Sequence, residues 1–277
     1  MLAEIRDLRV DFPTSTGWQA AVRGVSLSIG REKLGVVGES GSGKSVTGRA
    51  LMRLLPPAAR VRAEVLCMGD TDILSASPQA MRRLRGARIG LIMQDPKFSL
   101  NPLLTAGAQI AEAWRIHRGG GKREAREAAL DLLDQVLIRD PARVMDAYPH
   151  ELSGGMGQRV MIAMMLAPGP DLLIADEPTS ALDTSVQAEI LRLIDRLVSE
   201  RGMGLVLISH DLPLVSRFCD RIAVMYAGQV MEELPAAELR AARHPYTRGL
   251  IDCLPRLREA RPRLSVMSRD PSWLEQA

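Results

Sequence analysis

The sequence predicts an α/β fold with a mainly parallel sheet, an N-terminal antiparallel β region and an inserted helical lobe. Three observations carry this expectation: a glycine-rich loop between a short apolar strand and a helix, a later stretch where strands and helices alternate, and a helical block between them. Residues 2–11 and 22–29 alternate apolar and polar side chains, as half-buried antiparallel strands do. The apolar run 34–37 reads as a buried strand, followed by the loop and a helix expected to stop at Pro56-Pro57. Residues 88–93 read as another strand, ending at Gln94.

From about residue 101 to 166 the spacing is helical. Ile110, Ala113, Trp114 and His117 share one face, and a second helix over 124–137 follows the break Gly119-Gly120-Gly121. Alternation resumes with strands over 172–175, 205–209 and 222–226 and helices over 184–200 and 212–218. The expected organisation is one domain over 1–277, with a core of 1–94 and 167–254, a lobe over 95–166, and a weakly ordered tail, 255–277.

Bulk properties exclude several classes. A net charge of +3 over 277 residues gives no reason to expect nucleic acid. Cys67, Cys219 and Cys253 are odd in number and fit neither a disulfide framework nor a metal-site spacing, which suits a reducing compartment. The most apolar window, 160–167, is far short of the roughly 20 residues a spanning helix needs. The N-terminal MLAEIRDLRVDF carries acids and no apolar core, so a secretory leader is not expected.

The chemistry begins at Gly38-Glu39-Ser40-Gly41-Ser42-Gly43-Lys44-Ser45, which matches G-x-x-x-x-G-K-[ST] between a strand and a helix. Glycines let consecutive backbone N–H groups curl around phosphate oxygens, Lys44 offers a point charge to the β- and γ-phosphates, and the Ser45 hydroxyl suits Mg²⁺. This defines a P-loop nucleoside-triphosphatase core. The strand 172–175 ends in Asp176-Glu177: Asp176 suits the Mg²⁺ shell and Glu177 the orienting of an attacking water. Alone, such a pair reads equally as a solvated turn; beside a phosphate loop it gains meaning. His210 ends the strand 205–209, where a parallel sheet presents ligands, and is a candidate γ-phosphate contact. His117, His150 and His244 read as structural. In Leu152-Ser153-Gly154-Gly155-Met156-Gly157-Gln158, Ser153 is set to cap a helix whose free N–H groups and dipole suit phosphate.

In this order, these elements resemble the ATP-binding subunit of ABC transporters, over about residues 5–254. The loop matches the Walker A motif, Gln94 the Q-loop, LSGGMGQ (Ser153, Gly154, Gly155 and Gln158 among it) the signature, and LLIADE the Walker B motif. Ser180-Ala181-Leu182-Asp183 matches the D-loop and His210 the switch histidine. The resemblance implies ATP and Mg²⁺ as cofactors, with Ser45, Gln94 and Asp176 around the metal and Lys44, Gln94, Glu177 and His210 serving hydrolysis. It implies two such subunits packed head to tail, each ATP lying between one Walker A loop and the other subunit's Ser153-Gly154-Gly155, near Asp183. It also implies an adenine-stacking aromatic ahead of Walker A: Phe12 is the better match and Trp18 its competitor.

Finer strings are similar to those of oligopeptide, dipeptide and nickel importers: Gln94-Asp95-Pro96, Ser99-Leu100-Asn101-Pro102, Tyr148-Pro149-His150-Glu151, Val224-Met225-Tyr226-Ala227-Gly228 and His244-Pro245-Tyr246-Thr247. Three departures stand out: Gly157 where a larger, usually polar residue is the rule, Ala63 where a turn glycine is usual, and a tail without the cysteine segment of many peptide-importer ATPases. The implied function is an ATPase energising a binding-protein-dependent importer of peptides. The implied partners are a second, non-identical ATPase subunit, two transmembrane permease subunits and, indirectly, a periplasmic binding protein. Its place would be the cytoplasmic face of the bacterial inner membrane. Nickel or metal–metallophore uptake is the alternative, and a soluble non-transport ABC ATPase or a non-hydrolysing nucleotide binder are further ones.

Overall fold

The computed structural model describes residues 1–95, 99–180, 182–254, 270 and 273. Pro96 and Ala181, named above within motifs, and the expectation of a weakly ordered tail otherwise lie outside these residues. The chain forms two compact units, one of residues 1, 3–74 and 207–277, the other of residues 2 and 75–206.

In the first unit, β1 (Ala3–Thr14) and β2 (Gly17–Ile29) form a long antiparallel hairpin. β5 (Val65–Met68) joins the other edge of β1 and carries β6 (Thr71–Asp72), while β4 (Arg60–Arg62) also pairs with β1. The alternation that predicts this sheet places Leu8, Val10, Val25 and Leu66 in its core, each at most 2% exposed. β3 (Lys33–Val37) leads through the phosphate loop into α1 (Lys44–Leu51). β10 (Arg221–Tyr226) runs parallel to β3 and antiparallel to β11 (Gln229–Pro235). α8 (Leu212–Phe218) and α9 (Pro245–Asp252) complete this unit.

α1 ends five residues before the expected stop at Pro56. Arg53 takes a left-handed conformation (φ 52°), so that its N–H bonds the Ala50 carbonyl at 2.9 Å and the Leu54 N–H bonds that of Arg49 at 2.9 Å. This paired closure satisfies the last carbonyls of the helix, so the prolines are not needed to stop it.

The second unit holds α2 (Pro78–Ala87), β7 (Ile89–Ile92), α3 (Ala106–Arg118), α4 (Lys122–Gln135), α5 (Pro141–Asp146), α6 (Gly154–Leu166), β8 (Leu172–Asp176) and α7 (Thr184–Arg201). β9 (Gly204–Ser209) begins there and ends in the first unit. β7 runs parallel to β8. Side-chain oxygens of Ser77, Thr105, Asp140, Ser153 and Asp183 each accept a backbone N–H and so start α2, α3, α5, α6 and α7. The core of the helical region is made by Ile110, Ala129, Leu133, Val136 and Val160–Ala163, all fully buried. α2 has no counterpart in the sequence reading: its buried stripe is only Met81 and Leu84 among arginines, although Ser77-Pro78 carries the start signal.

Cys219 lies behind α8, and burial, reinforced by Asp220, pushes its thiol up to about 12. At pH 8 about one molecule in ten thousand then carries the reactive thiolate. Native protein treated with iodoacetamide at pH 8 is expected to label at the half-buried Cys67 and Cys253 long before Cys219. Peptide mass spectrometry over a time course checks this; equal labelling of all three would contradict it.

Candidate functional site

The phosphate loop leaves β3 through Gly38, whose φ of 153° and close backbone neighbour admit no side chain: a Cβ there would stand 2.0 Å from the Met225 carbonyl oxygen. Gly43 is similarly constrained, with φ 97° and the Ala21 carbonyl 2.7 Å from where its Cβ would be. The loop is thus moulded against β10 on one side and β2 on the other. Lys44 is only 6% exposed, and a buried ammonium needs acceptors. It donates to the carbonyl oxygens of Gly38 and Glu39 at 2.8 Å each and to the Ser42 hydroxyl at 3.3 Å.

α1 opens at Lys44 with neither a side-chain cap nor an acid in its first turn. Its positive end, the ammonium and the exposed Ser40–Gly41 tip bring positive charge and backbone N–H groups to one loop, which suits a polyphosphate chain. Ser45, half-buried in the first turn, adds a hydroxyl.

The two aromatic candidates lie on opposite faces of the β1–β2 hairpin. Phe12 pairs with Gln19 and continues the face of the buried Val10, whereas Trp18 pairs with Pro13 on the other face. Trp18 is 46% exposed and covered by the Arg60 guanidinium, 3.6 Å from its ring centroid. Phe12 is half-buried, in the hairpin whose Ala21 touches Gly43.

In the second unit β8 ends at Asp176, 6% exposed, and the chain turns at Glu177, a non-glycine residue with φ 48°. That conformation costs on the order of 1–3 kcal/mol and is held by its surroundings. The Ser180 N–H (3.3 Å) and hydroxyl (3.1 Å) both donate to the Glu177 carbonyl. Asp183 caps α7; the Ser185 hydroxyl at 2.8 Å and the Val186 N–H at 3.1 Å hold its carboxyl below the usual carboxylate range.

The signature serine does cap α6, accepting the Met156 N–H at 3.4 Å, and leaves Ser153 and Gly154 exposed. Leu182 and Val186 press on the two glycines: a Cβ on Gly154 would touch Leu182 at 3.5 Å and one on Gly155 would meet Val186 at 3.0 Å. Asp95, His150, Ser153, Gly154, Gly157 and Leu182 line a cavity of about 510 Å³. Gln158 is wholly buried behind it, its carboxamide without a hydrogen bond among the described residues; nothing in the structure explains this.

Gln94 and His210 are both exposed and stand just past the carboxyl ends of β7 and β9; Asp176 is the last residue of β8 and Glu177 the first beyond it. Asp211, immediately after His210, caps α8 through the Leu214 N–H at 2.9 Å. His244 caps α9 through Nδ1, in keeping with its structural reading. Asp95, His150 and Leu182 in the cavity wall figure in the sequence only within the strings Gln94-Asp95-Pro96, Tyr148-Pro149-His150-Glu151 and the D-loop, with no site role assigned to them.

A glycine-moulded loop gripping a buried lysine at the end of a parallel strand defines the class: a P-loop nucleoside-triphosphatase. Residues 22–180 match the family model described as "ABC transporter". The chain belongs to the ATP-binding subunits of the ABC transporter family and is an ATPase of a transport system. It is 48% identical to the dipeptide transport ATP-binding protein of Escherichia coli (strain K12) over 268 residues, covering 96% of this chain and 82% of that protein. The dipeptide transport ATP-binding protein of Haemophilus influenzae matches at 48%, covering 96% and 81%. Among solved structures, a dimeric bacterial ABC transporter cassette superposes with a TM-score of 0.73 at 29% identity, covering 85% of this chain and 99% of that one. A dimeric ATP-binding cassette in a post-hydrolysis state with ADP and phosphate gives 0.72 at 28%, covering 85% and 99%. Among the described residues no helix is long and apolar enough to cross a membrane.

Proposed function

We propose that this chain hydrolyses ATP to power a binding-protein-dependent importer of di- and oligopeptides. The observation that carries the reading is the 48% identity, over 96% of the chain, to two dipeptide transport ATP-binding proteins. In this reading one ABC ATPase domain spans the chain, with a core of 1–94 and 167–254, a helical lobe over 95–166 and the tail 255–277.

The loop Gly38–Ser45 cradles the phosphates through its backbone and Lys44, while Phe12 stacks on the adenine. The hydroxyl, carboxylate and amide oxygens of Ser45, Asp176 and Gln94 are a hard donor set that suits Mg²⁺, which when bound would neutralise charge on the β- and γ-phosphates. Glu177 orients and deprotonates the attacking water, and His210 contacts the γ-phosphate. The exposed Ser153-Gly154-Gly155 start of α6, with Gln158 and Asp183, serves the nucleotide of the neighbouring subunit, where the helix's positive end meets phosphate. ATP then joins the dimer, and its hydrolysis lets the dimer reopen and drives two membrane permease subunits between states. The second ATPase subunit is a different chain, a periplasmic binding protein delivers the cargo, and the complex sits at the cytoplasmic face of the inner membrane.

The test is to isolate the chain with its membrane partners from native membranes, reconstitute that complex with a periplasmic binding protein, and measure uptake and ATP turnover with a labelled dipeptide or Ni²⁺. Dipeptide-dependent uptake and turnover are expected. Stimulation by Ni²⁺ with dipeptide inert would replace the cargo, and an assembly containing only identical ATPase copies would refute the heterodimer.

A further inference from the structure

The segment His244-Pro245-Tyr246-Thr247 has no place in the chemistry above, yet the side chain of Tyr246 reaches the phosphate loop. A histidine followed by proline is a helix start: His244 Nδ1 accepts the Tyr246 N–H at 3.1 Å, and Pro245 occupies the first helical position of α9. The Glu232 carboxylate of β11 accepts the N–H groups of Arg243 at 2.7 Å and His244 at 3.1 Å, fixing the entry to the helix. Tyr246 therefore leaves a backbone that is held on both sides.

Its ring is fully buried in an aromatic cluster. It lies 4.5 Å from Tyr226 (centroid to centroid, tilted by 39°) and 5.6 Å from Trp273 of the tail, which stands edge-on to Tyr226 at 5.7 Å. The chain has only three tyrosines and three tryptophans, so this grouping is a concentrated use of scarce residues. Trp273 is itself 7% exposed.

The Tyr246 hydroxyl accepts the backbone N–H of Glu39 at 3.2 Å, across 207 residues of sequence. That N–H and the Gly38 carbonyl belong to one peptide group, which is planar and turns as a unit. The same Gly38 carbonyl accepts the Lys44 ammonium at 2.8 Å. One rigid plane is thus held at its N–H by Tyr246 and at its C=O by Lys44, and tilting it disturbs both bonds.

We propose that Tyr246 is a positioning residue of the nucleotide site, seated by Trp273, that sets the orientation of the 38–39 peptide and through it the rest position of Lys44. This rests on the reading that the loop binds nucleotide. A tyrosine needed only for packing could be phenylalanine; the hydroxyl is the part that reaches the loop.

The test compares full-length wild type, Tyr246→Phe and Trp273→Ala by three measurements: ADP affinity by calorimetry, amide hydrogen exchange at Glu39, and Tm without nucleotide. Losing one hydrogen bond that orients the loop should weaken ADP binding about three- to tenfold in Y246F and speed exchange at Glu39. W273A, which keeps the hydroxyl but removes its seat, should move both readouts in the same direction. A drop in Tm with ADP affinity and Glu39 exchange unchanged would reduce Tyr246 to a structural residue and overturn the proposal. Should Y246F not fold, W273A decides by the same criteria. Wild-type protein that binds no ADP would sink the nucleotide-site reading instead, while exchange at Glu39 would still decide the contact to Tyr246.

Discussion

Glu177→Gln is expected to cut steady-state phosphate release by about a hundred- to ten-thousandfold while leaving ATP affinity within about twofold of wild type. The substitution keeps the shape of the side chain and removes only its negative charge and proton affinity. The left-handed turn at residue 177 is tied through its backbone carbonyl, which accepts the Ser180 N–H and hydroxyl, and the substitution leaves both bonds in place. Binding and hydrolysis should therefore separate. ATP should persist on the protein and hold it as a dimer, seen as an ATP-dependent shift on size-exclusion chromatography. Turnover equal to wild type would remove Glu177 from its assigned role.

Gly38→Ala acts on the fold and the site together. The added Cβ would sit 2.0 Å from the Met225 carbonyl oxygen, and 2.9 Å from the Ser42 hydroxyl, at a φ of 153°. Neither neighbour yields cheaply: one is backbone of a paired strand, and the other takes a hydrogen bond from Lys44. Overpacking and the strained backbone together cost about 2–5 kcal/mol, which for a chain of this size lowers Tm by roughly 5–15 °C. Nucleotide binding should be lost with it, because β3 and the loop separate from β10 at this point. Gly41→Ala is the control: φ is also positive (82°), but no atom lies within 4 Å of its Cβ, so only local backbone strain remains. Thermal unfolding and ADP titration of the two variants check the difference; similar losses in both would show that the Met225 contact does not matter.

These expectations were legible to different degrees in the residues themselves. The phosphate loop could be read directly because its chemistry needs consecutive backbone amides, and consecutive residues are what a sequence shows. Helix starts were nearly as clear, since Ser153, Asp183 and Asp211 cap within three residues of themselves. Helix ends were not: α1 and α4 stop where Arg53 and Leu137 adopt the left-handed conformation that usually marks glycine. β11 and α9 left too weak a periodic pattern to stand out. The bond from Tyr246 to Glu39 had no local sign at all, because it depends on how β10, β11 and α9 return the chain to its own beginning. That Phe12 and Trp18 lie on opposite faces follows from pairing register, which the length of the hairpin loop hides.

The seating of Leu182 and Val186 on Gly154 and Gly155 also bears on how such a chain can drift over generations. A side chain at Gly155 needs Val186 of α7 to give way, since its Cβ would stand 3.0 Å from that side chain, whereas one at Gly154 meets Leu182 only at ordinary contact distance. Residues 155 and 186 are thus constrained jointly, so this part of the signature and the start of α7 form one inherited character rather than two.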